Sequence, residues 1–343
     1  MIYIVLYILL VIEGVICRKL KNGKKLFLVM SYLQLTLLLG LRGYDVGVDT
    51  KSYIDYFKLV SAGISGWMEP GITIIIRLIV FLGGEKQILF LIFSIITMAG
   101  FYYFIINMSE DIYLSVLLLY SLNFYFFSFN AMRQAMAIAL ISIAFVKVDR
   151  EQYFKAVLWM IIGCMFHSSS IIAIIIILLK KFKVSYKRNY VYVVGLGSIF
   201  LMLIAQNIVN IASKIYTRYA VYIGSSFDKS GNFINPLLYL IIFICCSYYY
   251  ERLNSVKNDF LIILLAIGVF LYFISIKVQI VNRLVYYFTI SALVLIPRVI
   301  NTFSQKIKLQ WRWVVILFAG IYTVLLIYRN AQGIVPYRFF WNE

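Results

Sequence analysis

The chain has 343 residues, 63% of them hydrophobic and 13% charged, with a formal net charge of +18. That composition lies well outside the range of soluble globular domains, and near-continuous apolar runs recur from end to end. The excess positive charge sits mostly in short loops, which points to anchoring beside anionic lipid, and no nucleic-acid motif accompanies it.

A bilayer core about 30 Å thick needs roughly 20 apolar helical residues per crossing. Segments near that length fill most of the sequence, so the pattern predicts an all-α polytopic integral membrane protein with about 12 transmembrane helices in a single domain over 1–343. The first run, Ile2 to Cys17, lacks a positive n-region and a small-residue cleavage site, and reads as a retained helix. "RKLKNGKK" (Arg18 to Lys25) then carries five positive charges, "KKFKVSYKR" (Lys180 to Arg188) five, and the stretch Arg298 to Arg312 four. The positive-inside rule places all three in the cytoplasm and both termini outside, together with loops 42–69 and 211–236.

Between Arg42 and Lys180 lie six apolar segments, although parity requires an odd number of crossings. The weakest is "PGITIIIRLIVFLG" (Pro70 to Gly83), whose 14 residues span only about 21 Å as a helix and include Arg77. It is expected to be re-entrant or interfacial. Further on, a helix descends from Asn130 and Arg133 toward Lys147, and 153–179 forms a hairpin with "FHSSS" at its outer turn. The alternative, one long helix over 153–179, would bury His167 at mid-membrane. Helices near 190–210, 237–250, 260–276, 284–297 and 313–329 complete the pattern. Cys17, Cys164, Cys245 and Cys246 all lie in apolar stretches without metal spacing, and read as small buried hydrophobes.

Ionisable groups in such a chain are candidates for function, weighed against snorkelling and interfacial anchoring. In "LRGYDVGVDTKSYIDYF", Asp45 and Asp49 offer general-base or acceptor-orienting carboxylates and Arg42 a bidentate fork for phosphate; each residue alone also suits an ordinary solvated loop. Glu69 precedes Pro70 at a helix start, where its charge is favourable in any case. In "SFNAMRQAMAIAL", Asn130 sits one turn before Arg133, with Gln134 beside it, on an otherwise apolar helix. An anchoring arginine needs neither amide, which favours a functional reading there. His167 is the one histidine in the chain and fits either a structural or an acid–base role. Lys277 and Arg283 in "KVQIVNRLVYYF" fall outside, against the charge trend, and call for an anionic partner: a lipid headgroup or a pyrophosphate.

Taken in order, these segments resemble the EpsG family within the broader group of Wzy-type polysaccharide polymerases. "LRGYDVGVDTKSY" is similar to its arginine, glycine-x-aspartate and tyrosine segment at Arg42, Gly47, Asp49 and Tyr53. "EPG" resembles its glutamate-x-glycine at Glu69 and Gly71, and "NAMRQAMAIA" its asparagine-x-x-arginine-glutamine motif. "MFHSSSII" looks like its Phe-His-Ser segment, and "NRLVYYF" matches a late arginine-aromatic segment more weakly. The likeness covers roughly 40–290; beyond Arg298 only a loose "PYRFF" is similar, with no function carried over.

The resemblance implies a multi-pass enzyme of the bacterial cytoplasmic membrane that joins oligosaccharide repeat units carried on polyprenyl pyrophosphate into capsule, exopolysaccharide or O-antigen. Asp49, Glu69 and His167 are then the candidate catalytic groups. Arg42, Tyr53, Asn130, Arg133, Gln134, Lys277 and Arg283 are the candidates for pyrophosphate or glycan binding. Expected partners are the lipid-linked oligosaccharide, membrane lipids, a flippase and a chain-length regulator. No cofactor is implied, and without an acidic pair the transfer is expected to be metal-independent. A flippase for lipid-linked oligosaccharide and a membrane glycan ligase are the competing readings, though the inverted repeats usual in transporters are not visible.

Overall fold

The computed structural model describes residues 1–64, 66–215, 233–253 and 256–342. Most of these are helical, and an isolated antiparallel bridge joins Arg42 to Phe339. The chain divides into two compact units, Met1–Ile174 with Ser304–Glu343, and Ile175–Phe303.

The helices run α1 (Ile2–Cys17), α2 (Gly23–Gly40), α3 (Thr50–Ser61), α4 (Pro70–Phe81), α5 (Lys86–Met108), α6 (Ile112–Ser121), α7 (Phe124–Asn130), α8 (Met132–Asp149) and α9 (Tyr153–Phe166). They continue as α10 (Ile174–Lys181), α11 (Tyr190–Ile215), α12 (Ile234–Tyr248), α13 (Tyr250–Leu253), α14 (Val256–Ser275), α15 (Asn282–Thr289) and α16 (Ala292–Asn301). Finally α17 (Gln305–Arg329) returns to the first unit.

In the first unit α8 is the central post, packed between α5 and α9. All its side chains are buried except Arg133, Lys147 and Asp149 at its ends. A helix that is apolar all round belongs in a core. Gly100 permits the close approach of α5, because a Cβ there would stand 2.7 Å from the Ala139 carbonyl. Against this post α3, α4, α5 and α9 build one apolar cluster that includes Tyr53, Phe57, Ile72, Ile76, Phe90, Met132, Met136 and Phe166. The short helix α4 buries Ile72, Ile76 and Ile79 on one face and exposes Arg77 on another, an amphipathic spacing. In the second unit α14 packs with α11, α12, α15 and α16.

The expectation of about 12 transmembrane helices is overturned. Among the described residues, α5 and α17 are the two helices long and apolar enough to cross a membrane, or up to four spans if two bent pairs are each counted as one. Ile2–Cys17, Pro70–Phe81, Tyr153–Phe166 and Ile234–Tyr248 are shorter apolar helices, of 10–17 residues. At 1.5 Å per residue they fall short of the bilayer core. Two physical effects misled the hydropathy reading. Apolar runs are interrupted by turns: α6 and α7 meet at 43° where Asn123 takes a left-handed backbone, φ 69°, and the segments Gln279–Thr289 and Ala292–Asn301 meet at 46°. In addition, much of the apolar content covers protein rather than lipid, as α8 does. Large apolar side chains nevertheless stay exposed on α1, α4, α9, α11 and α17, among them Ile12, Phe81, Phe154, Leu203 and Phe318. Exposed apolar surface of that extent suits membrane association.

The hairpin expected over 153–179 becomes α9, a 3-10 turn (Ser168–Ala173) and α10, with His167 extended at the break. Most of the expected loop 211–236 lies outside the described residues.

Candidate active site

The chain turns sharply into α4 through Glu69, whose extended backbone (φ −60°, ψ 152°) precedes Pro70 in the first helical turn. Proline lacks an N–H and is preset for that position, so Glu69 is fixed as the last residue before the helix. Gly71 then lets the start of α4 touch the end of α9, since a Cβ there would lie 2.7 Å from the Met165 carbonyl and 2.8 Å from the Phe166 ring. That approach brings Glu69 to His167. The imidazole Nδ1 lies 3.1 Å from Glu69 Oε1, and the Ser168 N–H donates to the same oxygen at 3.4 Å. From the first turn of α8, Arg133 donates to and ion-pairs with Glu69 Oε2. All three side chains are about one-fifth exposed, so the cluster opens to the exterior and is not sealed in the core. Arg133 Nε is buried without a partner among the described residues. Gly71→Ala is expected to cost about 1–3 kcal/mol through overpacking. Thermal unfolding of the purified variant, set beside that of the parent protein, checks this.

A second group adjoins the first. The Arg133 guanidinium carbon is 6.0 Å from the centre of the Tyr53 ring, which is buried on α3. Burial pushes the Tyr53 phenol above its ordinary value; Arg133 pulls it partly back and Asp49 pushes it further up. It is therefore a neutral O–H donor near pH 7. At the start of α3, the Asp49 N–H donates to Asn130 Oδ1 at 3.0 Å, tying the aspartate loop to the end of α7. Gly47 makes that crossing possible. Its φ of +98° favours glycine, and a Cβ there would sit 2.4 Å from the Phe129 carbonyl.

Arg42 occupies a different environment from the one its motif suggested. It is 1% exposed, donates to the Leu39 carbonyl at 3.0 Å, and lies over the rings of Phe90 and Phe129 at 4.8 and 5.4 Å. Burial lowers its pKa to about 10, which leaves it a cation at neutral pH. Gln134 is also buried, one residue inside the α8 core. Lys277, exposed just after α14, and Arg283, in the first turn of α15, belong to the second unit. Glu69, Arg133, His167, Tyr53, Asp49 and Asn130 are thus gathered, while Arg42 is enclosed in the core. Among the described residues no three His, Cys, Asp or Glu side chains converge as a metal site would require.

The carboxyl-terminal tail was not anticipated. Gly43 N–H donates to the Arg338 carbonyl at 2.8 Å, Gly47 N–H to Gly333 at 2.8 Å, Val48 N–H to Gln332 at 3.3 Å, and Phe340 N–H to Leu41 at 3.1 Å. The tail is a strap that sets the path of the Arg42–Asp49 loop. The loose "PYRFF" likeness was its one visible signal.

Residues 25–339 match the profile of the EpsG family. The chain belongs to the EpsG family. Its matched stretch includes every residue of the Glu69 cluster and most of the strap, and membership supports a general polymerase role in membrane-glycan synthesis. No curated protein and no solved structure matches the chain. For this EpsG protein, removal of the strap by deleting 330–343 is expected to lower activity on the order of 100-fold, as a loop misplaced by about 1 Å does. It should also expose 41–49 to limited proteolysis. An unchanged cleavage pattern together with full activity would rule out the strap.

Proposed function

We propose that this protein joins polyprenyl-pyrophosphate-linked oligosaccharide repeat units into a surface polysaccharide at the outer face of the cytoplasmic membrane. The observation that carries the reading is the Glu69 carboxylate held between Arg133 and His167. In the transfer, an acceptor sugar hydroxyl attacks the anomeric carbon of the donor chain. The bond to the pyrophosphate oxygen breaks, and its electron pair leaves with the carrier. Negative charge grows on that pyrophosphate, and a fixed guanidinium in a partly dried site stabilises it. Arg133 holds Glu69 through Nη1 and keeps its charge at the partly exposed end of the side chain.

The acceptor hydroxyl must lose a proton as the new bond forms. When His167 donates Nδ1–H to Glu69, its Nε2 is the basic nitrogen that takes this proton. Glu69 then orients the ring and stabilises the imidazolium, the part a carboxylate plays in an Asp–His pair. Asp49 and Asn130 orient sugar hydroxyls, and Tyr53, buried beside Arg133, helps to position the guanidinium. Arg42 and Gln134 hold the loop and α8 in register. Lys277 and Arg283, in the second unit, meet phosphate on lipid headgroups, and exposed apolar helix faces hold polyprenyl chains. A flippase supplies the repeat units, and a chain-length regulator acts on the product.

The test is deletion of the gene, followed by analysis of glycan length and lipid-linked intermediates. Loss of long chains, with single repeat units still delivered to the outer face, supports a polymerase. Units trapped on the cytoplasmic face would overturn it in favour of a flippase.

A further inference from the structure

Away from the Glu69 cluster, α1 and α17 border an apolar slot of about 520 Å³ lined by Tyr7, Ile8, Ile12, Leu317, Ile321 and Leu325 among others. Val11, Trp313 and Ile316 also line a cavity of about 200 Å³, so the two adjoin. The smaller cavity ends among Arg18, Lys19 and Arg312. One carboxylate organises this end. Asp111 caps α6 by accepting from the Leu114 N–H, and its two oxygens pair with Arg18 at 2.5 Å and Arg312 at 2.9 Å. Its side chain is only 2% exposed, whereas Arg18 and Arg312 are 31% and 20% exposed. Lys308 lies within electrostatic reach of Arg312, Arg18, Asp111 and Glu110. Arg18, Lys19, Lys308 and Arg312 thus outnumber the two acids. Arg312 Nε is buried with no partner among the described residues.

Such an arrangement has two chemistries in series: a long apolar slot open along the exposed faces of α1 and α17, and a mouth with surplus positive charge. From this juxtaposition we infer that the α1–α17 groove binds an anionic glycerophospholipid, acyl chain in the slot and phosphate among Arg18, Lys19, Lys308 and Arg312. The charge complementarity selects an anionic headgroup over a zwitterionic one. Asp111, the carboxylate at the mouth, is committed to two arginines and a helix cap, so the bound lipid is retained there and not consumed.

The experiment uses the full-length protein, delipidated in detergent and titrated with phosphatidylglycerol or phosphatidylcholine, with binding read by native mass spectrometry. Phosphatidylglycerol should bind and raise the unfolding temperature, and phosphatidylcholine should do so far less. Arg18→Gln with Arg312→Gln should weaken phosphatidylglycerol binding about 30-fold, from roughly fivefold per cation brought near an anionic lipid. Because that pair also strips Asp111 of its partners, Lys19→Gln with Lys308→Gln is the second test. It leaves both ion pairs intact and should bring a similar loss. Equal affinity for the two lipids, or no change in the lysine variant, would overturn the inference. Displacement of phosphatidylglycerol by polyprenyl phosphate at much lower concentration would overturn the occupant, and displacement by inorganic phosphate alone would overturn the role of the slot.

Discussion

Replacing Glu69 with glutamine is expected to lower polymer synthesis by about 10²–10⁴-fold while the protein remains at its normal level in the membrane. The substitution preserves size and a carbonyl oxygen facing His167 Nδ1, which lies 3.1 Å away. It removes the negative charge that faces both Arg133 and the imidazole. The neutral amide no longer favours an imidazolium at His167, so proton uptake from the acceptor hydroxyl becomes harder. If Glu69 served only to start α4, glutamine there would cost little, because Pro70 and Gly71 already determine the turn and its packing. Chain-length profiles with variant level normalised decide between these outcomes, and near-normal long chains would remove Glu69 from the chemistry. His167→Asn offers a companion. It retains a polar group near Glu69 but has no basic nitrogen, and a loss of similar size places both residues on one proton path.

The separate motifs of this site were legible because each carries unusual chemistry for its surroundings. Arg133 and Asn130 stand out in an apolar stretch, and Glu69-Pro70-Gly71 is a helix start with a small residue behind it. What one-dimensional reading did not supply was their pairing. Glu69 lies 64 positions from Arg133 and 98 from His167 along the chain. Gly71 closes the second gap through the end of α9, a contact that depends on a missing Cβ and leaves no periodic trace. Arg42 shows the opposite failure. As a motif it read as a phosphate fork, yet aromatic rings and a carbonyl enclose it. Cation–π contacts with hydrogen bonds to the Leu39 carbonyl and the Met132 sulfur allow a charge to be buried without a carboxylate, and sequence spacing cannot reveal that enclosure.

The count of crossings failed for a related reason. Hydropathy measures how readily a side chain leaves water, and is silent on whether lipid or protein receives it. The apolar residues of α8 are received by α5 and α9. Those of α17 remain mostly open. The same composition therefore stands for a core post in one case and a candidate span in the other. The strap from Gln332 to Phe340 was hidden for a different reason: apart from the Arg338–Asp45 ion pair at 3.6 Å, its polar contacts with Leu41–Val48 are backbone hydrogen bonds. Backbone hydrogen bonds place few demands on side-chain identity, so such a segment looks unremarkable until it is folded.

Arg133→Lys separates charge from geometry at the same site, and its expected effect is as large as that of Glu69→Gln. Lysine keeps the positive charge but replaces a planar fork with a single flexible ammonium. A half-buried Glu69 still finds a cation, so stability should change little. A departing pyrophosphate, however, needs donors held in place while charge develops, and loss of one such donor costs roughly 10²–10³ in rate. The lysine variant is therefore expected to make long chains about 100-fold more slowly and to accumulate lipid-linked single units. Arg133→Ala should be at least as severe. Combining Arg133→Lys with Glu69→Gln separates the alternatives further. Residues that act as one unit lose activity together, so the double variant should fall little below the worse single one. Multiplicative losses would mean that Arg133 and Glu69 act independently and that their ion pair only fastens α8 to α4. Near-normal chains in Arg133→Lys would show that charge alone suffices, and a role for the guanidinium geometry would have to be abandoned.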